Sequence, residues 1–214
     1  GMFSENSSPT LNNVTFSGNS AYMGGGMLNY NNSSPNLTNV TFSGNAADYG
    51  GGIGNTGNSS PILTNVTIFG NSADTNGGGI YNYSNSNPIL TNTIVWGNNT
   101  DQIFNDTSLP TVTYSDVMGG YAGEGNINQD PLLSPLANYG GFTMTHALGS
   151  ESPAIDAGDP GNCPTTDQRN YVRPVDGDGV DGPRCDMGAY EYGATEPGFP
   201  LYSKTCNDPT SSFP

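Results

Sequence analysis

SSPNLTNVTFSGNAADYGGGIGNTGN, residues 33–58, decides how the rest of the chain is read. A near copy precedes it and two follow, opening at Ser7, Ser59 and Ser86. Pro9, Pro35, Pro61 and Pro88 step by 26, 26 and 27 residues, and the triple glycines at 24–26, 50–52 and 77–79 keep the same beat. A fixed period of this size marks a stack of like supersecondary units.

The letters say which unit repeats. Each copy carries a short β-branched and apolar run, such as Val14-Thr15-Phe16 or Val40-Thr41-Phe42, in which residues two apart share a face as in a strand. A second run follows the glycines (Met27-Leu28-Asn29-Tyr30) and a third follows the proline (Asn36-Leu37). Three short strands and three turns in about 26 residues describe one coil of an all-β solenoid, a parallel β-helix. Neighbouring coils then lie ~4.8 Å apart and equivalent residues stack on themselves. Leu11, Leu37, Leu63 and Leu90 are expected to form one inward apolar ladder. Asn19, Asn45, Asn71 and Asn98, each after a glycine, are expected to form an asparagine ladder in left-handed turns. The single 27-residue step places its extra residue in the loop Ala73-Asp74-Thr75-Asn76.

Composition bounds the function. With 33% hydrophobic residues, 31 Gly and 16 Pro in 214 residues, the chain suits a narrow solenoid better than a globule. The net charge is −15 and no Lys or Arg precedes Arg169, which disfavours nucleic acid and anionic membrane as partners. No run approaches the ~20 apolar residues that span a bilayer. Cys163, Cys185 and Cys206 match no zinc spacing; a Cys163–Cys185 disulfide is the plain reading, leaving Cys206 over and pointing to an oxidising, extracellular setting.

The period divides the chain into β-helix repeats over 1–133 (regular coils 7–99, irregular closing coils 100–133), a C-terminal module over 134–193 and an extended Pro-rich tail over 194–214. The module's vocabulary is SPAIDAGDP (152–160), Asp167-Gln168-Arg169, Arg173-Pro174, DGDGVDG (176–182) and CDMGAYEY (185–192), introduced by YSDVMGG and GNINQDP. This succession resembles the "choice-of-anchor" module carried by bacterial secreted right-handed β-helix repeat proteins. The resemblance covers roughly residues 80–192 and implies a right-handed β-helix with a small irregular capping module, secreted or at the cell surface; it implies no particular reaction.

Several sites are candidates. Asp176, Asp178 and Asp181 offer hard oxygens on a tight turn and would suit Ca²⁺, although the spacing departs from the EF-hand loop and a solvated acidic turn fits as well; no other cofactor is indicated. Arg169, Arg173 and Arg184 sit close in sequence to carboxylates and are expected to pin the module onto the last coil. His146, the single histidine, has no evident nucleophile as partner. Lyase chemistry lacks a base and a cation on the helix. Hydrolysis would need carboxylates gathered on one face, for which Asp48, Asp74 and Asp101 are the candidates. Tyr22, Tyr30, Tyr49, Tyr81 and Tyr83 either form an outward stripe for sugar rings or stack on one another. Ser7 is already in register with Ser33, so the first coil is expected to offer an open edge. Together with an arm carrying Phe199, Leu201, Tyr202, Cys206 and Phe213, that edge favours an extracellular structural subunit stacking head-to-tail into a filament. A glycan-binding adhesin is the alternative, with a glycoside hydrolase behind both.

Overall fold

The computed structural model describes residues 1–196. The phenylalanine, leucine, tyrosine and cysteine singled out above as an assembly arm (Phe199, Leu201, Tyr202, Cys206, Phe213) lie outside the described residues.

The chain winds through β1 (Met2–Glu5), β2 (Thr10–Asn12), β3 (Thr15–Ser17) and β4 (Ser20–Met23). It repeats the circuit as β5 (Met27–Tyr30), β6 (Asn36–Thr38), β7 (Thr41–Ser43) and β8 (Ala46–Tyr49), then as β9 (Ile53–Thr56), β10 (Ile62–Thr64), β11 (Thr67–Phe69) and β12 (Ser72–Asn76). The last circuits are β13 (Ile80–Tyr83), β14 (Ile89–Thr91) and β15 (Ile94–Trp96), followed by β16 (Ile103–Asp106), β17 (Thr111–Thr113) and β18 (Asp116–Val117). All strands pair in parallel with their copies one coil away. They build sheet I (β1-β5-β9-β13-β16), sheet II (β2-β6-β10-β14-β17), sheet III (β3-β7-β11-β15-β18) and the short sheet IV (β4-β8-β12).

A coil therefore has four strands where the letters indicated three. Sheet IV escaped notice because Ala46-Ala47-Asp48-Tyr49 lacks a β-branched run. The extra residue of the 27-residue step is likewise no loop insertion. It is a bulge in β12, between Ala73 and Asn76, and Asn76 returns to register opposite Tyr49.

Alternate residues of each strand point inward and make the core. Leu37, Leu63, Leu90 and Val112 line it from sheet II, with Leu11 half-buried at the first rung. Phe42, Ile68, Val95 and Val117 line it from sheet III, Phe16 stacking on Phe42 at 5.0 Å. Met27, Ile53 and Ile80 line it from sheet I. The triple glycines bring rungs close at the corner between sheets IV and I: a Cβ on Gly52 would stand 2.6 Å from the Gly79 carbonyl oxygen.

The asparagine ladder is present. Asn19, Asn45 and Asn71 each donate from Nδ2 to the Oδ1 of the next copy at 2.9 Å, ending on Asn98. Its backbone differs from the expectation: the left-handed residues are the preceding Gly18, Gly44, Gly70 and Gly97, while a different asparagine column, Asn13, Asn39, Asn65 and Asn92, has positive φ. Two further ladders join it. Asn29, Asn55, Asn82 and Asn105 run inside sheet I, and Ser33, Ser59, Ser86 and Ser108 each accept from the backbone of the rung before.

After Asn99 the letters lose their period, yet register persists: Leu90 faces Val112 and Asn82 faces Asn105. The coil shortens because no sheet IV strand is made, and the Gln102 amide takes the place of the next asparagine, accepting from Asn98 Nδ2 at 2.8 Å. Residues 119–129 then close this end. Asn126 donates to the Val112 carbonyl and accepts the Ser115 N–H, and the Tyr121 hydroxyl accepts from Asn105.

Candidate functional site

Sheets I and IV meet at the glycine corner, and their outward faces carry the aromatic residues. Tyr22 (β4), Tyr49 (β8), Tyr81 (β13) and Phe104 (β16) follow one another with ring centroids 5.8, 5.3 and 5.5 Å apart. Tyr83 lies 6.2 Å beside Tyr81, and Phe3 pairs with Tyr30 at 6.4 Å. The rings do stack on one another, yet Tyr22 keeps 68% and Tyr83 44% of its surface exposed. Tyr81 at the centre is buried, at 8% exposure, so the rings support one another and the outer ones, Tyr22 and Tyr83, stay open to a ligand. Burial first, then the Asp106 carboxylate, raises the pKa of the Tyr81 hydroxyl, so it stays protonated as a donor at neutral pH.

Carboxylates border the column. Asp48 lies on β8 opposite the β12 bulge that carries Asp74, and Asp106 faces Tyr83 across β16. Asp101 turns inward to the Gly77 N–H, 3.5 Å away. Aromatic faces flanked by carboxylate acceptors can stack on sugar rings and accept their hydroxyls.

A different face is occupied by the chain itself. Residues 134–192 do not sit on the last coil; they lie along the side of the solenoid, over sheet III. Asn39 Nδ2 donates to the Thr166 carbonyl, Asn65 Nδ2 to the Asp186 carbonyl at the same 2.8 Å, and Asn92 Oδ1 accepts the Asp159 N–H. Gln168, buried, joins two rungs to the module: its Oε1 accepts from the Thr41 hydroxyl at 2.6 Å, and its Nε2 donates to Thr15 Oγ1 and, within the module, to Thr143 Oγ1. His146 is equally structural. Its ring bridges the Ser134 carbonyl and the Ser43 hydroxyl and meets Phe69 edge-on, and burial lowers its pKa. Trp96, Phe69 and Leu133 line a groove of about 600 Å³ between sheet III and the closing segment at 130–133.

Inside the module charges are buried. Arg169 pairs with Asp167 at 2.7 Å between the rings of Tyr171 and Tyr190. Arg173 Nε stands 2.7 Å from Glu191 Oε2, an ion contact whose N–H is not aimed at the oxygen. Of the three arginines, Arg173 alone also reaches the solenoid, at Asn39 on the second coil; Arg169 and Arg184 bond within the module. Burial, then the neighbouring Glu191, pushes the Asp186 pKa up, and burial raises Glu191 as well. Two buried carboxylates beside one guanidinium disfavour both being ionised at once. Cys163 and Cys185 are joined, with Cα atoms 5.8 Å apart.

The acidic loop is rearranged relative to its expected ligand set. Asp176 and Asp178 bring carboxylate oxygens within 4.8 Å of Asp156; Asp181 does not join them. Asp156 is engaged already, accepting from the N–H groups of Gly177, Asp178 and Arg184, while Asp176 and Asp178 accept from Gly179 and Val180.

Gln168, His146 and the Asn13-Asn39-Asn65-Asn92 column were not legible as docking residues. The one available signal was an outward asparagine repeated beside each Val-Thr pair, which polar surface explains equally well.

The sequence profile of the right handed beta helix region matches residues 1–125, more than half of the chain. The chain belongs to the right-handed β-helix family. Neither a curated protein nor a solved structure matches this β-helix. Among the described residues no helix is long and apolar enough to cross a membrane.

Proposed function

We propose that this β-helix is an extracellular, non-enzymatic carbohydrate-binding protein that grips neutral glycan chains along its aromatic flank. One observation carries the reading: Tyr22, Tyr49, Tyr81 and Phe104 follow one another in a chain of ring contacts along the outer side of sheets IV and I. A stacked aromatic array presents rigid, weakly solvated faces at little entropic cost. Asp48, Asp74 and Asp106 beside it repel uronates and favour neutral sugars. The disulfide and the resemblance to secreted repeat proteins support an extracellular setting.

Head-to-tail stacking into a filament receives less support, because residues 119–129 already bond the backbone of Val112, Tyr114, Ser115 and Val117 at this end. Sedimentation of the purified chain separates the two: a concentration-independent monomer favours the binder, a growing polymer the filament. Calorimetric titration with neutral oligosaccharides tests the binding itself. Binding should vanish in Tyr22→Ala/Tyr83→Ala with the fold intact, and reducing ends released from the ligand would instead mark Asp48 and Asp74 as a hydrolytic pair.

A further inference from the structure

Sheet II presents an outward face of another kind. Its strands pair from β2 to β17 with no register shift, so outward residues fall into two straight columns. One reads Asn12, Thr38, Thr64, Thr91, Thr113; the other reads Thr10, Asn36, Ile62, Ile89, Thr111. Side chains recur every ~4.8 Å across rungs and about 6.7 Å along each strand. The Ser33-Ser59-Ser86-Ser108 ladder borders the sheet and holds its rungs together. Threonine hydroxyls also bond across rungs, Thr91 to Thr113 at 3.4 Å.

Charge makes this face distinctive. A chain of net charge −15 places no charged side chain in either column. The first column is half-exposed, and Ile62 and Ile89 keep 42% and 43% of their surface, an unusual use of isoleucine on a sheet's solvent side. Among the described residues no module side chain hydrogen-bonds to it. A neutral, two-dimensional lattice of methyls and hydroxyls complements a partner that is itself neutral and periodic. Methyl groups order the water lying between them, and hydroxyls anchor it by hydrogen bonds. The two repeats resemble those of oxygen atoms on a prism plane of hexagonal ice.

We infer that sheet II is an ice-binding face: water ordered over the threonine and isoleucine columns merges with the ice lattice, and the protein adsorbs to growing crystals. This site is separate from the aromatic flank and stands or falls independently of it.

Nanolitre osmometry on the complete chain tests the assignment. The unaltered protein should facet ice crystals and open a gap between melting and freezing points. In Thr64→Tyr/Thr91→Tyr, whose bulk breaks the columns, faceting and gap should be lost while circular dichroism is unchanged; Ile62→Lys serves as a second, smaller disruption. Tyr83→Ala, on the other flank, should retain both. Round ice discs with the unaltered protein, or an undiminished gap in the double variant, would overturn the inference. So would retention on crystalline cellulose that depends on Thr64 and Thr91 without any effect on ice.

Discussion

At the residue scale the molecule depends on amides that bond to their own copies. Asn71 is representative. Buried, it accepts from both the backbone and the side chain of Asn45 and donates to the Phe42 carbonyl. Asn71→Ala leaves those donors without an acceptor, and each orphaned buried group costs about 1–3 kcal/mol. We expect urea unfolding of this variant to show a loss of about 2–4 kcal/mol. The asparagine column itself was readable from spacing. Its backbone assignment was not, because glycine and asparagine both tolerate positive φ and the letters cannot say which of two adjacent residues takes it.

At the element scale the decisive feature is the module laid against sheet III. All three arginines of the described residues lie in it, and Arg169 and Arg173 are buried. Trypsin therefore finds no site in the coils and reports on the module. Gln168→Ala removes bonds to Thr15, Thr41 and Thr143; cleavage after Arg169 should become several-fold faster while far-ultraviolet dichroism is retained. Equal cleavage rates would show that Gln168 does not hold the module. Reduction of Cys163–Cys185, or Cys185→Ser, should loosen the same region, at a cost of ~3 kcal/mol in the chain-entropy picture. The disulfide was legible because three cysteines within one quarter of the chain allow few pairings. The docking face was not, since the Asn-Val-Thr column looks the same whether water or a module covers it.

Over the whole molecule, buried carboxylates set an unusual pH dependence. Asp116 is buried with Oδ2 unpaired, and desolvation pushes its pKa up to about 7; Asp186 and Glu191 are raised by burial too. Folded carboxyls that keep protons which the unfolded chain releases above pH ~4 stabilise at low pH. That stability is fully present below the unfolded pKa and drains as pH rises through the folded one. Urea midpoints should thus fall between pH 5 and pH 8, and Asp186→Asn should flatten the slope; a midpoint rising with pH would contradict it. By itself the sequence determined the solenoid, its period and its ladders, because each coil repeats the same local requirements and neighbouring copies satisfy them. Only the tertiary structure decided the fourth strand, the β12 bulge, the closure at 119–129 and the placement of the module along a flank. The module's placement depends on contacts such as Asn65 with Asp186 and Arg173 with Asn39, between residues more than a hundred positions apart, which no local pattern encodes.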